Sequence, residues 1–107
     1  MPLNRYDIFL ANLDPTIGSE INKTRPVVIV SDDLLNHYLK TVVACPLTSS
    51  LHATWRSRVQ TACDGKDAEI AVDQIRAISK LRLIKCLDHL SPATAAELRR
   101  VITEMYG

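Results

Sequence analysis

The sequence predicts a small, mainly β barrel finished by a C-terminal α-helix, and three observations predict it. Short apolar or alternating runs recur between turn residues from Tyr6 to Leu87, too short and too closely spaced for a helical bundle. One of them, Val27–Val30, is β-branched throughout and carries no polar residue. Only the segment after Ser91-Pro92 has a clear helical period. With 107 residues, 47% of them hydrophobic, the chain has the size of one domain, expected to span 1–107.

Taken in order, Tyr6–Leu13 reads as a first strand that ends at the turn pair Asp14-Pro15, and a long polar turn follows. Val27–Val30 reads as a strand buried on both faces. Pro26 fits its first position, and it biases Arg25 toward an extended backbone, so that this arginine leaves the loop in a defined direction at the strand's mouth. Ser31-Asp32-Asp33 can cap a short helical turn over Leu34–Tyr38. Thr41–Cys45 is the next β-branched run; Pro46 closes it and leaves Leu47-Thr48-Ser49-Ser50 as a loop. Arg58–Ala62 alternates like a half-buried strand, Asp64-Gly65-Lys66 is a turn, and Glu69–Ile78 and Leu83–Leu87 are further strands. In the last element Ser91 is the N-cap and Pro92 occupies the first helical position. Ala95, Leu98, Val101, Ile102 and Met105 share one face, while Glu97, Arg100 and Glu104 pair on the other.

A formal charge of +1 excludes a strongly basic DNA-coating protein, although Lys23, Arg25, Arg56 and Arg58 can form a local basic patch, offset by Asp64, Asp67 and Glu69. Cys45, Cys63 and Cys86 are odd in number and show no C-x-x-C pair, which suits reduced thiols. Met1-Pro2-Leu3-Asn4-Arg5 lacks the apolar core of a signal peptide, and no run approaches the roughly 18 apolar residues of a membrane span. A soluble cytoplasmic protein is expected. A domain this small leaves much surface exposed, which oligomerisation would reduce.

The histidines and cysteines show no metal-site spacing, and Gly18-Ser19-Glu20 lacks the G-K-[ST] ending of a phosphate loop. What stands out is a set of polar residues at strand ends: Ser19 and Arg25 around the first long turn, Thr48 after the third strand, and Asp73-Gln74 with Arg76 in a late one. Each alone has an ordinary structural reading, as turn former, cap or solvated charge. Trp55, the sole tryptophan, beside Arg56, reads either as a core residue or as a stacking surface for a nucleobase.

Together these segments resemble the MazF/PemK family of toxin endoribonucleases. The matching stretches are Asp14-Pro15-Thr16 with Gly18-Ser19-Glu20, then Thr24-Arg25-Pro26-Val27-Val28-Ile29-Val30, then Pro46-Leu47-Thr48-Ser49, then Val72-Asp73-Gln74-Ile75-Arg76-Ala77-Ile78. They follow the family's order and spacing over nearly the whole chain. The resemblance implies an SH3-like (CcdB/PemK-like) barrel that forms a homodimer. It implies a type II toxin that cleaves single-stranded RNA at short motifs with no metal or cofactor, silenced by a MazE-like antitoxin. It places the catalytic pair on Arg25 and Thr48, and RNA binding or positioning on Ser19, Asp73 and Gln74. One branch of the family has an arginine where this chain has Ala71 and a histidine where it has Ser19, so acid and base roles from that branch do not transfer.

The implied reaction is attack of a 2′-hydroxyl on the adjacent phosphorus, giving a 2′,3′-cyclic phosphate and a free 5′-hydroxyl. A guanidinium can donate two hydrogen bonds to the phosphoryl oxygens and a threonine hydroxyl a third, which suits Arg25 with Thr48. Arginine is a poor base, so Asp73 or Glu20 accepts the proton. Glu20, Lys23, Trp55, Arg56 and Arg76 complete the expected RNA contacts, with the loop from Ser50 to Arg58 as the base reader. Two other readings share the fold: a CcdB-like gyrase-inhibiting toxin, which needs neither Arg25 nor Thr48, and a non-catalytic SH3-like module, which would want more aromatics than the 5% present.

Overall fold

The computed structural model describes residues 2–13 and 24–107. Its strands are β1 (Asp7–Asn12), β2 (Thr24–Ile29), β3 (Thr41–Thr48), β4 (Arg58–Cys63), β5 (Lys66–Ala71), β6 (Arg76–Ser79) and β7 (Leu83–His89). A short helix α1 (Asp33–Tyr38) links β2 to β3, and α2 (Pro92–Tyr106) ends the chain. All pairings are antiparallel, and the sheet runs β4-β5-β3-β2-β1-β7 with β6 also on β3. The architecture is mainly β with a C-terminal helix, as the sequence predicts. The two ends of the curved sheet approach where the backbone N–H of Asp64 donates to Asp88 Oδ2 at 3.1 Å.

The apolar run of β2 lies between two cores. Val28 and Val30 join Ile8, Cys45, Leu47, Val59, Ile70 and Val72 under α2, which contributes Ala95, Leu98 and Val101. Val27 and Ile29 face the other way, onto Phe9, Leu13, Val42, Ala44 and Ile78. A strand with a core on each side has no face for a polar residue, so the alternation vanishes. The face of α2 fades toward its C-terminus: Ile102 is partly buried and Met105 is 38% exposed. Ser91 caps the helix by accepting from Thr94 N at 3.2 Å, and Asp32 caps α1 by accepting from Leu35 N at 2.9 Å.

Both prolines sit deeper in strands than their sequence context suggests. Pro26 is the third residue of β2 and lies opposite Leu10, while the pairing of β2 with β3 starts one residue later, at Val27 opposite Pro46. Its missing N–H therefore falls where one edge of β2 is still unpaired. Pro46 does not close β3: residues 44–46 pair with β2, and Leu47 and Thr48 continue onto β5, opposite Ile70 and Glu69. On the edge away from β2 the strand changes partner from β6, at residues 41–44, to β5, at Leu47 and Thr48, so Pro46 falls in the gap between those two pairings, and Thr48 belongs to a strand end rather than a loop.

The stretch 69–78 is likewise not one strand. From Ile70, opposite Leu47, to Arg76, opposite Ala44, six steps on one side meet three on the other. The excess is taken up by a 3₁₀ turn at Val72–Gln74, which buries Val72 and leaves Asp73 outside the ladder. Finally, Asp64 (φ 53°) and Gly65 (φ 79°) form the two-residue turn between β4 and β5, whose ladder closes with Cys63 opposite Lys66. Two consecutive positive φ values are what a type I′ hairpin needs, and Asp-Gly supplies them cheaply.

Candidate functional site

Arg25 lies inside β2, not in the loop before it, and pairs with Ala11 of β1. Carrying the β2–β3 register two residues beyond Val27 and Pro46 sets Arg25 against Thr48. The two side chains line one cleft of about 280 Å³. Leu47 and Ser49 flank Thr48 there, and the β4–β5 turn closes the other side with Cys63, Asp64, Lys66 and Asp67. Arg25 and Lys66 thus face Asp64 and Asp67 around a half-open, partly apolar space. Thr48 Oγ1 accepts from Ser50 N at 3.1 Å, which fixes the hydroxyl at the cleft's edge.

Asp73 is not among the residues lining this cleft. Its Oδ1 accepts from Arg58 Nε at 2.9 Å, an ion pair on a guanidinium that is only 8% exposed. Burial alone would raise the Asp73 carboxyl, but hydrogen bonds from Arg58, Ser57 and its own backbone, with the Arg58 charge, outweigh it and hold the group below the usual carboxylate range. Gln74 and Arg76 are half-buried, in the 3₁₀ turn and at the start of β6.

Arg58 also reaches Glu69, with Nη1 3.7 Å from Oε2, and Glu69 is 0% exposed. The Glu69 carboxylate accepts the backbone N–H of His52 at 2.9 and 2.5 Å, tying the β3–β4 loop to the strand opposite Thr48. Trp55 belongs to the same assembly. Its ring lies parallel to that of His52, with centroids 3.9 Å apart and planes 8° from parallel, and the Arg58 guanidinium sits 4.7 Å from its centroid. At 48% exposure Trp55 is not a core residue, and it also borders a surface pocket with Arg56, Ser57, Glu104 and Met105. Arg56 pairs with Glu104 of α2, linking the same loop to the terminal helix.

The structure therefore brings Arg25 and Thr48 together and sets Asp73, Trp55 and, through Glu104, Arg56 in a neighbouring cluster. Ser19, Glu20 and Lys23 lie outside the described residues. Sequence reading did not find Lys66 and Ser49 at the cleft, and it took Arg58 and Glu69 for surface charges. Glu69 did leave a signal: it interrupts the run Ala68 to Val72, where a lone carboxylate among apolar neighbours is either an error of register or a buried partner.

Known proteins resemble this chain in sequence and in fold. The chain is 33% identical over 113 residues to the endoribonuclease MazF of Staphylococcus epidermidis, covering 98% of this chain and 92% of that one. It is 32% identical to the protein of the same name in Staphylococcus saprophyticus, with the same coverage. Among solved structures, MazF of Deinococcus radiodurans superposes with a TM-score of 0.83 at 22% identity, covering 96% of this chain and 94% of that one. A mycobacterial endoribonuclease in complex with its cognate antitoxin gives 0.81 at 22%, covering 96% and 93%. A family model described as the PemK-like, MazF-like toxin of type II toxin–antitoxin systems matches residues 4–106, and by this nearly full-length match the chain belongs to that toxin family.

Proposed function

We propose that this chain is a cytoplasmic endoribonuclease that cuts single-stranded RNA by metal-independent attack of a 2′-hydroxyl, working as one domain over 1–107. The observation that carries the reading is the shared cleft of Arg25 and Thr48. As the 2′-oxygen bonds to phosphorus and the bond to the 5′-oxygen breaks, negative charge builds on the phosphoryl oxygens. Arg25 supplies a permanent charge with a planar pair of donors there, and Thr48 adds a hydroxyl from the facing strand. Donors already in place stabilise the transition state without reorganisation. Cyclisation leaves a 2′,3′-cyclic phosphate, and the departing 5′-oxygen takes up a proton from water, which balances the one lost by the 2′-hydroxyl.

The proton acceptor is better sought at the cleft than at Asp73. A carboxylate held below its usual range is a weak base, and Asp73 is committed to Arg58. In this reading Asp73 positions Arg58, and Asp64, Asp67 or Glu20 takes the proton. Lys66, with Lys23, Gln74, Arg76 and Ser19, contacts the RNA backbone or bases beyond the cut.

Two partners belong to the same reading. A MazE-like antitoxin silences the site by laying an extended acidic segment against Arg25; a mycobacterial endoribonuclease of similar fold forms a complex with its cognate antitoxin. A second copy of the chain forms a homodimer; the exposed apolar residues Leu34, Leu35, Tyr38, Leu39 and Leu81, the last 96% exposed, offer surface for it. The test is incubation of an unstructured RNA with purified protein in EDTA. Fragments ending in cyclic phosphate and 5′-hydroxyl are expected; intact RNA, or cleavage only with added magnesium, overturns the proposal.

A further inference from the structure

Resting on the ribonuclease reading and extending it to substrate choice, we infer that the outer face of the His52 ring is a stacking platform for one unpaired base of the RNA, next to the bond held by Arg25 and Thr48.

His52 lies parallel to Trp55 at 3.9 Å, and the Arg58 guanidinium carbon sits over the same indole at 4.7 Å from its centroid, too close for the two groups to share one face. The order is therefore His52, Trp55, Arg58. Trp55, the obvious aromatic, already carries His52 and Arg58 against its ring. Arg58 has its edges committed to Asp73 and Glu69. His52 is the end of the stack, half-buried, and among the described residues no further ring packs on it.

The second observation is how firmly the platform is held. The backbone of His52 is bound by Glu69, a fully buried carboxylate whose counter-charge is Arg58, its side chain 8% exposed, which also supports Trp55. Trp55 N in turn donates to His52 O at 2.9 Å. A buried ion pair contributes little net stability, but it fixes geometry, and geometry is what a base-stacking surface needs before the base arrives. These bonds hold the ring before RNA arrives, so little conformational freedom is lost on binding.

Position is the third. Glu69 lies opposite Thr48 in the β3–β5 ladder, and Thr48 Oγ1 accepts from Ser50 N, two residues before His52. The platform and the catalytic hydroxyl thus stand on one strand end and its immediate continuation. An unpaired base flanking the cut can reach the ring, and stacking would favour flat purines over pyrimidines at that position.

The experiment uses full-length protein and two readouts. First, the wild type digests a long unstructured RNA and its cut sites are mapped; failure to cut sinks the ribonuclease reading and this inference with it. Given cleavage, binding is measured to a 2′-O-methyl copy of the segment that the wild type cuts, which lacks the attacking hydroxyl. His52→Ala should weaken binding by about tenfold or more, the usual loss for one stacked base, and flatten the base preference beside the cut. His52→Phe should restore both. Circular dichroism and thermal unfolding show whether the fold is intact in each variant. Unchanged affinity and cut pattern in His52→Ala, or a His52→Phe as impaired as His52→Ala, overturns the platform while leaving the nuclease in place.

Discussion

Replacing Arg58 by methionine should destabilise this protein more than removal of any exposed charge. The side chain is 8% exposed and lies 3.7 Å from the fully buried Glu69 and 2.9 Å from Asp73. At 3.7 Å and an effective dielectric near 20 the attraction to Glu69 is about 4.5 kcal/mol gross. Most of that offsets the desolvation of both groups in the wild type, but the variant keeps the buried carboxylate and loses its partner, which typically costs about 3–5 kcal/mol. Glu69 still accepts from His52, so the low end, about 3 kcal/mol, is expected. The Asp73 pair adds well under 1 kcal/mol because that carboxylate is a third exposed. For a domain of this size the loss corresponds to a Tm lower by about 12–24 °C. Thermal and urea unfolding at one fixed protein concentration measure it, since a dimer would make Tm concentration-dependent. Glu69→Gln in the Arg58→Met background should recover about 1–2 kcal/mol by removing the stranded charge. An Arg58→Met variant within about 0.5 kcal/mol of wild type, or a double variant worse than the two singles combined, refutes the buried network.

Other consequences can be checked on the same material. Asp73 is held below its usual range, so its ion pair contributes fully above about pH 5 and is lost as pH falls through the depressed folded value. The stability gap between wild type and Asp73→Asn should be flat above pH 5 and close below about pH 4; a gap that grows on acidification contradicts this. Gly65→Ala should cost about 1 kcal/mol by chemical denaturation, since the methyl group meets nothing within 4 Å and the penalty is the positive φ alone; no loss would argue against the type I′ turn. Among the thiols, burial and then the charge of Asp73 push buried Cys45 up to about 12, whereas Cys86 is exposed. A mild alkylating agent near pH 8 should label Cys86 first and leave Cys45 unmodified in the native protein, as peptide mass mapping would show.

Much of the fold was legible in local sequence because its signals are local. The unbroken β-branched run of β2 announced a strand between two cores, Asp64-Gly65 a tight hairpin, and Ser91-Pro92 the start of the final helix. Pro26 and Pro46 misled because a proline's tolerance depends on which edge of a strand is paired at that residue, and that is a property of the neighbouring strand. The 3₁₀ turn at Val72–Gln74 was hidden for the same reason: Val72, Ile75 and Ile78 look continuous with a strand until the register on β3 is counted. The cleft pair could be named from the motif around Arg25 and Thr48, but the Glu69–Arg58–Asp73 cluster joins residues up to 15 positions apart across the β4–β5 hairpin and the turn after it. Alternation places Glu69 on a face; only the loop folded over that face decides that it is buried.

The central claim is that Arg25, held in β2 against Thr48, carries the charge of the reacting phosphate. Its most direct test is single-turnover cleavage of one RNA in EDTA by wild type and Arg25→Ala, with the affinity for the uncleavable 2′-O-methyl copy measured in parallel. The account predicts a rate lower by about a hundredfold or more in Arg25→Ala, with unfolding and circular dichroism unchanged and binding affected far less than rate. An Arg25→Ala protein that still cleaves at the wild-type rate would contradict it.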